Sequence, residues 1–368
     1  MNPVKILVLF FAMTLQSIYL DEIGFFRYLA NITLKRAKTS QKTLFFYLYL
    51  TVSVLTVFTS NDMIILTFTP FICYFAKNAD INPLPYLFAE FVAANTWSMM
   101  LMIGNPTNIY LAADGGISFL SYVKIMVLPT LCGGITALLV LTIVFRKMLQ
   151  APLKPQAETV KIEDHILLRI GIINLSVCTA LLVVSSYIGI EMWLIAAILA
   201  VSLFLEAGIY LAVKKRKLTI LWTTLKRGPW QLIPFLLSMF LLVMLLDNAG
   251  IIDKIGKLLG NSHTVLEYGI TSFLSANVIN NIPMSVLFGS VSDSLSDANR
   301  MSGIFAAVIG SNIGAFFTPL GALAGIMWAS ILKKNQVKFS YITFVRYGAL
   351  ISIPTLMASL LGLSWIMK

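Results

Sequence analysis

The sequence predicts an all-α, polytopic membrane protein built from two inverted repeats. Its 368 residues are 58% hydrophobic and only 12% charged, with a mean hydropathy of +0.86, far above that of water-soluble domains. Charge-free runs such as Ile125 to Phe145, Gly228 to Leu246, Met301 to Leu332 and Tyr347 to Met367 approach or exceed the roughly 20 residues that span a bilayer as helix. The third observation is that a segment near the amino terminus aligns without gaps on one from the second half. Continuous apolar runs exclude a transmembrane barrel, whose strands alternate apolar and polar residues. The formal charge is +11, but the basic residues fall mainly in short loops between apolar runs, where membrane topology accounts for them and nucleic-acid binding is not needed. Cys73, Cys132 and Cys178 are far apart in apolar segments and the chain has two histidines, so no disulfide framework, metal site or other cofactor is expected.

In chain order, the apolar run Ile6 to Leu20 comes first, and Arg27 to Lys42 follows with five basic residues and no acid. Such a loop belongs in the cytoplasm. Lys214 to Arg227, with six basic residues, and the loop holding Lys333, Lys334 and Lys338 fall on the same side. So does Arg146 to His165, which carries Pro152, Pro155 and three acids and reads as a solvated linker. The loops at Asp114, Glu191 and Asp293 to Arg300 carry little net positive charge and fall on the other side. Crossings between these anchors agree only if the first run ends inside, which leaves Met1 outside.

ILVLFFAMTLQSIYLDEIGFF from Ile6 aligns on LIPFLLSMFLLVMLLDNAGII from Leu232, pairing Met13 with Met239, Asp21 with Asp247 and Gly24 with Gly250. Each copy continues into an amphipathic stretch (Phe25 to Lys38; Ile251 to Leu259), then an apolar run broken by polar residues, TSND at Thr59 to Asp62 and NVINNIP at Asn277 to Pro283. A Gly- and Pro-containing break in a further apolar run completes each copy. Asn61 falls on Asn281, Asn95 on Asn312 and Gly104 on Gly321. Because the first copy ends inside and the second outside, the halves are inverted, an architecture of secondary transporters with a midplane substrate site. The expected division is 1–145 as the first repeat, 146–165 as a cytoplasmic linker and 166–368 as the second repeat. Ile170 to Tyr187 and Glu191 to Val213 have no counterpart before Met1, so the first repeat reads as amino-terminally short.

Irregular backbone survives in hydrocarbon only where protein or a water-filled cavity satisfies it. An apolar helix from Thr43 stops at Ser60, Asn61 and Asp62, and Met63 to Ala76 restarts with its free N–H groups toward the break, which makes a re-entrant hairpin with a polar tip. Asn280, Asn281, Ile282 and Pro283 form the matching tip. Simple helix caps at kinks are the alternative, and they explain one such site better than two at corresponding places. Gly104 to Asn108 and Thr318 to Gly321 lie in charge-free runs of 23 and 32 residues and read as unwound crossings. Their carbonyls, the amides of Asn105 and Asn108 and the hydroxyl of Thr318 can hold a cation or a hydroxylated solute.

Asp62 is the expected proton-coupling residue. It follows 19 uncharged residues and precedes 14 more before Lys77, so its carboxyl can exchange a proton as its exposure changes; a fixed helix cap is its other reading. Asp21 and Asp247, at helix ends beside glycines, read as interfacial caps. Glu90 and Glu206 are read either as proton relays or as interface anchors, and Cys132 and Cys178 as packed side chains.

The stretches TSNDMIILTFTP, NTWSMMLMIGNPTN, NVINNIP and GSNIGAFFTPLGALAGIMW resemble the arsenite/antimonite efflux permeases and their sodium/proton antiporter relatives, the ArsB and NhaD type of the ion transporter superfamily, which also holds citrate and dicarboxylate carriers. The likeness runs over nearly the whole chain from Ile6. It implies an elevator-type carrier, often a homodimer, in which two hairpins and two broken helices move against a scaffold. Matched by motif, it implies a substrate site of Ser60, Asn61, Asp62, Asn95, Asn105, Asn108, Asn280, Asn281, Asn312 and Thr318. This chain departs from the pattern in two places: Trp97, Met99, Met100 and Leu101 are bulkier than usual, and neither tip has the Ser-Asn-Thr of the dicarboxylate branch. An acidic tip disfavours a multiply charged anion.

The expected function is therefore secondary transport in the plasma membrane, with proton-coupled efflux of arsenite, antimonite or a similar small inorganic solute as the first reading. A citrate or dicarboxylate carrier, or a sodium/proton antiporter of the same fold, is the alternative. The expected partners are the solute, a proton or sodium ion and the lipid bilayer. No acid, base and nucleophile cluster points to an enzyme, and no phosphate-binding G-x-x-x-x-G-K-[ST] loop is present.

Overall fold

The computed structural model describes residues 3–36, 40–152, 161–259, 263–337 and 339–368. Met1, Lys38, Pro155 and Lys338 of the expected loops lie outside the described residues, as does 153–160 of the expected linker. Among the described residues the regular structure is helical, apart from an isolated antiparallel pairing of Ser40 with Pro152. The first seven helices are α1 (Pro3–Glu22), α2 (Phe25–Arg36), α3 (Gln41–Phe58), α4 (Asn61–Asn78), α5 (Leu84–Trp97), α6 (Pro106–Asp114) and α7 (Phe119–Phe145). Then come α8 (His165–Ile188), α9 (Met192–Val213) and the short α10 (Thr219–Lys226). The remainder is α11 (Leu232–Asn248), α12 (Ile251–Leu259), α13 (Thr264–Ile279), α14 (Asn281–Ser292), α15 (Asp297–Gly314), α16 (Leu323–Lys334) and α17 (Tyr341–Ile366).

Helices α1 to α7 and α11 to α17 follow the same order of parts. A long helix turns at a glycine into a short one; Gly24 and Gly250 both take positive φ there, +81° and +69°, a conformation that favours glycine. Two helices then meet at a link of two residues (59–60) or one (Asn280), and two more are separated by eight residues, 98–105 or 315–322. A long helix with an internal proline, Pro129 or Pro354, closes each series.

Contacts between the two series are reciprocal. Helix α4 packs on α16 while α14 packs on α6, and α7 lies along α17. Both α3 and α4 touch α2, so the chain turns back at 59–60 toward the end it came from. Among the described residues six helices, α1, α3, α7, α8, α9 and α17, are long and apolar enough to cross a membrane. Outer faces such as Ile135, Leu139 and Ile143 of α7 and Val201, Leu205 and Ile209 of α9 are exposed; their helical spacing makes apolar stripes suited to lipid.

Helices α8, α9 and α10 pack on α1. Asp164 caps α8 by accepting the N–H of Ile166 (2.9 Å) and of Leu167 (3.2 Å), and its other oxygen accepts from Tyr210 (3.0 Å) and Arg216 (2.8 Å). Burial works against this carboxylate, but the four donors outweigh it and hold it below the usual carboxylate range. The stabilisation is present at neutral pH and is lost as pH falls through the lowered folded-state value.

Asp21 is not the interfacial cap expected of it. Its buried carboxylate accepts from the Thr67 hydroxyl (2.7 Å) and from Arg227 (2.7 Å), which also pairs with Glu22. The trio ties α1 to α4 and to the end of α10. Replacing Arg227 with Ala leaves Asp21 buried without a counter-charge. Because the Arg227 side chain is itself 37% exposed, we expect a loss of about 2 kcal/mol, below the range for fully buried pairs. Thermal unfolding in detergent checks this, and an unchanged Tm would contradict it.

Candidate functional site

The break between α5 and α6 is closed by side chains. Pro106 opens α6 at a position where a missing N–H costs nothing, and the Asn105 side chain caps the helix by accepting the Thr107 N–H (3.2 Å). From the other half of the chain, Asn312 near the end of α15 reaches into the break. Its amide N–H groups go to Asn108 Oδ1 (2.7 Å) and to the Val308 carbonyl (2.8 Å), and its oxygen accepts from Asn105 (2.9 Å) and from the Ser98 hydroxyl (2.9 Å). Asn108 in turn donates to the Ser98 carbonyl (2.9 Å), and Ser311 donates to the Thr107 hydroxyl (2.8 Å). All of these residues are buried, so amide side chains supply what the missing helix turns would have supplied.

The first tip joins this network. Asn61 donates to Asn95 Oδ1 (3.0 Å) and accepts the Asp62 N–H (2.9 Å), while Asn95 donates to the Phe91 carbonyl (2.8 Å). Ser98, three residues on, links Asn95 to Asn312. The Ser60 hydroxyl is buried without a hydrogen-bond partner among the described residues. Asp62 is half-buried, and its carboxylate has no hydrogen-bond or ion-pair partner among the described residues.

The second tip is fastened to its own break. Asn280 takes φ +73°, a strained conformation for any residue but glycine. It is held there by accepting the Ile282 N–H (3.4 Å) and donating to the Leu320 carbonyl (3.1 Å). The Asn281 N–H donates to the Gly321 carbonyl (3.0 Å), and Asn277 Oδ1 accepts both the N–H (3.0 Å) and the hydroxyl (2.7 Å) of Thr318. Asn281 Oδ1 is buried without a hydrogen-bond partner among the described residues. Between this tip and α6, a cavity of about 10 Å³ lined by Thr107, Ile282, Ser285 and Phe10 has room for roughly one water molecule.

Five expected site residues, Asn61, Asn95, Asn105, Asn108 and Asn312, thus form one network, while Asn280, Asn281 and Thr318 cluster at the other break. Ser60 and the Asp62 carboxylate stand outside both. Ser98, Thr107, Ser311 and Asn277 were not singled out from the sequence. Asn277 opens the NVINNIP motif and was the most readable of the four. The bulky Trp97 is accommodated by Gly134, where a Cβ would meet its ring at 2.6 Å, and its indole donates to the Tyr49 hydroxyl (3.2 Å).

A family model described as a citrate transporter matches residues 3–304. The chain belongs to that family. An arsenical pump membrane protein of Escherichia coli is 30% identical over 378 residues, spanning 96% of this chain and 85% of that protein. A putative arsenical pump membrane protein of Bacillus subtilis is 25% identical over 96% of this chain and 87% of its own length. The YdaH transporter of Alcanivorax borkumensis, 14% identical, superimposes on 98% of this chain and 84% of that one with a TM-score of 0.65, so the two share a fold. This member of the citrate transporter family is a secondary transporter and a multi-pass protein of the plasma membrane.

The two glycines that align between the halves of this transporter have one task. A Cβ on Gly104 would lie 2.2 Å from the Ser98 carbonyl oxygen, and one on Gly321 would lie 2.4 Å from that of Gly314. Each break folds its chain against the last carbonyls of the helix before it. Gly104→Ala and Gly321→Ala are each expected to cost about 3 kcal/mol, since the obstacle is backbone, and to abolish transport. Full activity of either variant in vesicles would refute the close approach.

Proposed function

We propose that this transporter is a proton-coupled efflux carrier for arsenite, antimonite or a similar small hydroxylated inorganic solute, with Asp62 as the proton-coupling residue. One observation carries this reading. While the surrounding amides are saturated by one another, Ser60 Oγ, Asn281 Oδ1 and the Asp62 carboxylate keep unused hydrogen-bonding capacity at the two tips. An uncharged trihydroxy solute offers both donors and acceptors to such groups. On this reading Ser60, Asn61, Asp62, Asn280 and Asn281 contact the solute. Asn95, Asn105, Asn108, Asn312 and Thr318 shape the broken crossings around it.

The halves 1–145 and 166–368, joined by 146–165, are taken as inverted repeats whose hairpins and broken helices move together in an elevator motion. The reciprocal packing of α4 on α16 and α14 on α6 supports that reading. The family description favours a second one, a carboxylate carrier. Against it, Asp62 is the one charged residue between Lys42 and Lys77, and Glu267 the one between His263 and Asp293. No basic side chain at either tip's sequence is available to meet a multiply charged anion, and Asp62 would repel it.

The test is arsenite accumulation in a bacterium lacking its own efflux system. Expression of the chain is expected to lower accumulation, and Asp62→Asn to abolish the effect while the protein still reaches the membrane. Ser60→Ala and Asn281→Ala should each weaken export roughly tenfold, the worth of one hydrogen bond to a buried solute. Unchanged accumulation, together with proton- or sodium-driven citrate uptake in vesicles, would overturn the solute assignment in favour of the carboxylate reading.

A further inference from the structure

One buried acid has no part in the site at the tips. Glu90 of α5 is completely buried, where α4 packs on both α5 and α16 and Trp328 of α16 meets the rings of Phe88 and Phe91 of α5. The Thr69 hydroxyl of α4 donates to Glu90 Oε1 (2.9 Å), and Oε2 has no hydrogen-bond partner among the described residues. Facing the carboxyl from α16 is the indole of Trp328, also completely buried, whose N–H likewise lacks a partner. An acceptor and a donor thus face each other without a full hydrogen bond between them. Among the described residues, Cys73 of α4 is the other titratable group that interacts with this carboxyl, and no charged group acts on it.

Water comes close from one end. A cavity of about 490 Å³ at the carboxyl end of α16, with Lys333 and Gln336 on its wall, stops at Phe339. The Phe339 ring packs edge-on against Trp328 with centroids 5.3 Å apart, and it also packs on Phe88 of α5, two residues before Glu90. By the basic-loop rule this end is cytoplasmic. Thr69 follows Asp62 by seven residues of the same helix, which places Glu90 about 10 Å from the first tip along the helix axis.

We propose that Glu90 is a second proton-binding site, filled from the cytoplasmic cavity past Phe339, whose charge sets how closely α16 packs on α5. Protonated on Oε2, the carboxyl keeps accepting the Thr69 hydroxyl at Oε1 and turns an O–H rather than an acceptor toward Trp328, so the indole makes no bond to it, in keeping with the arrangement seen here. On losing the proton to water it becomes acceptor-only, and both the Thr69 hydroxyl and the Trp328 N–H are drawn onto it. A full bond from Trp328 requires α16 to move inward, and α16 carries the second break. This deepens the proton-coupled reading and rests on it for the link to transport; proton binding itself does not depend on any solute.

The experiment is pH-dependent infrared difference spectroscopy of the purified full chain, without solute. A protonated-carboxyl C=O band is expected in the wild type and in Asp62→Asn, and its loss in Glu90→Gln. Trp328→Phe removes the waiting donor and should move the disappearance of the band upward by about one pH unit, a tenfold change in proton affinity. Absence of the band from the wild type, its persistence in Glu90→Gln, or an unmoved midpoint in Trp328→Phe would each overturn the proposal. The Trp328→Phe titration decides the matter if Glu90→Gln fails to fold. Loss of arsenite export in Asp62→Asn with normal export in Glu90→Gln would leave the tip mechanism standing and remove Glu90 from the transport cycle.

Discussion

A backbone N–H or C=O inside hydrocarbon must find its partner within the protein, and the irregular parts of this transporter follow from that requirement. Two eight-residue stretches leave the helical path in the middle of apolar runs, and each would be prohibitive if its polar groups faced lipid. The two are repaired differently. The first break borrows Asn312 from the opposite half, whose single amide makes three hydrogen bonds to it, with Ser98, Asn105 and Asn108. The second is held by its own hairpin, through Asn277 on Thr318 and the Asn281 N–H on Gly321. The first break is therefore bound to the other half of the molecule.

Glycine completes both repairs. Amide side chains satisfy polar groups only if the chain can fold close enough to reach them, and Gly104 and Gly321 allow that approach where any side chain would strike a carbonyl. Their correspondence was readable from the internal alignment, but the reason for it was not. Alignment reports that two positions match. The obstacle that forbids a Cβ is backbone from six or seven residues earlier, and it is set by how each break folds.

The same limit explains what was legible in the site. Gly, Pro and Asn in charge-free runs announced the breaks and tips, because helix-breaking residues have few other uses at membrane depth. Ser98, Thr107 and Ser311 gave no such signal, since their roles depend on partners more than 200 residues away. Asp21 was misjudged for that reason: its salt-bridge partner Arg227 lies 206 residues on. Residue type also fails to separate an asparagine that binds solute from one that clasps backbone. Asn108 and Asn281 look alike in sequence, yet the first has both amide atoms engaged and the second has a buried free oxygen.

A core held by amides rather than ion pairs has a consequence for any alternating-access mechanism. A salt bridge at the break would carry a large desolvation penalty and would resist separation in low dielectric. Amide-to-amide bonds carry no net charge, so a unit containing them can pass through a hydrophobic barrier with little electrostatic cost from the clasp itself. What remains to impede it is the charge on the few acids it contains. Asp62 at the tip, Glu90 of α5 and Asp114 at the end of α6 are such acids in helices α4, α5 and α6. On the proposed mechanism, protonation of Asp62 removes the charge that would hold the loaded unit in contact with water. A neutral solute and a neutral tip then cross together, while a carrier of a charged anion would need a fixed cation where this sequence has none.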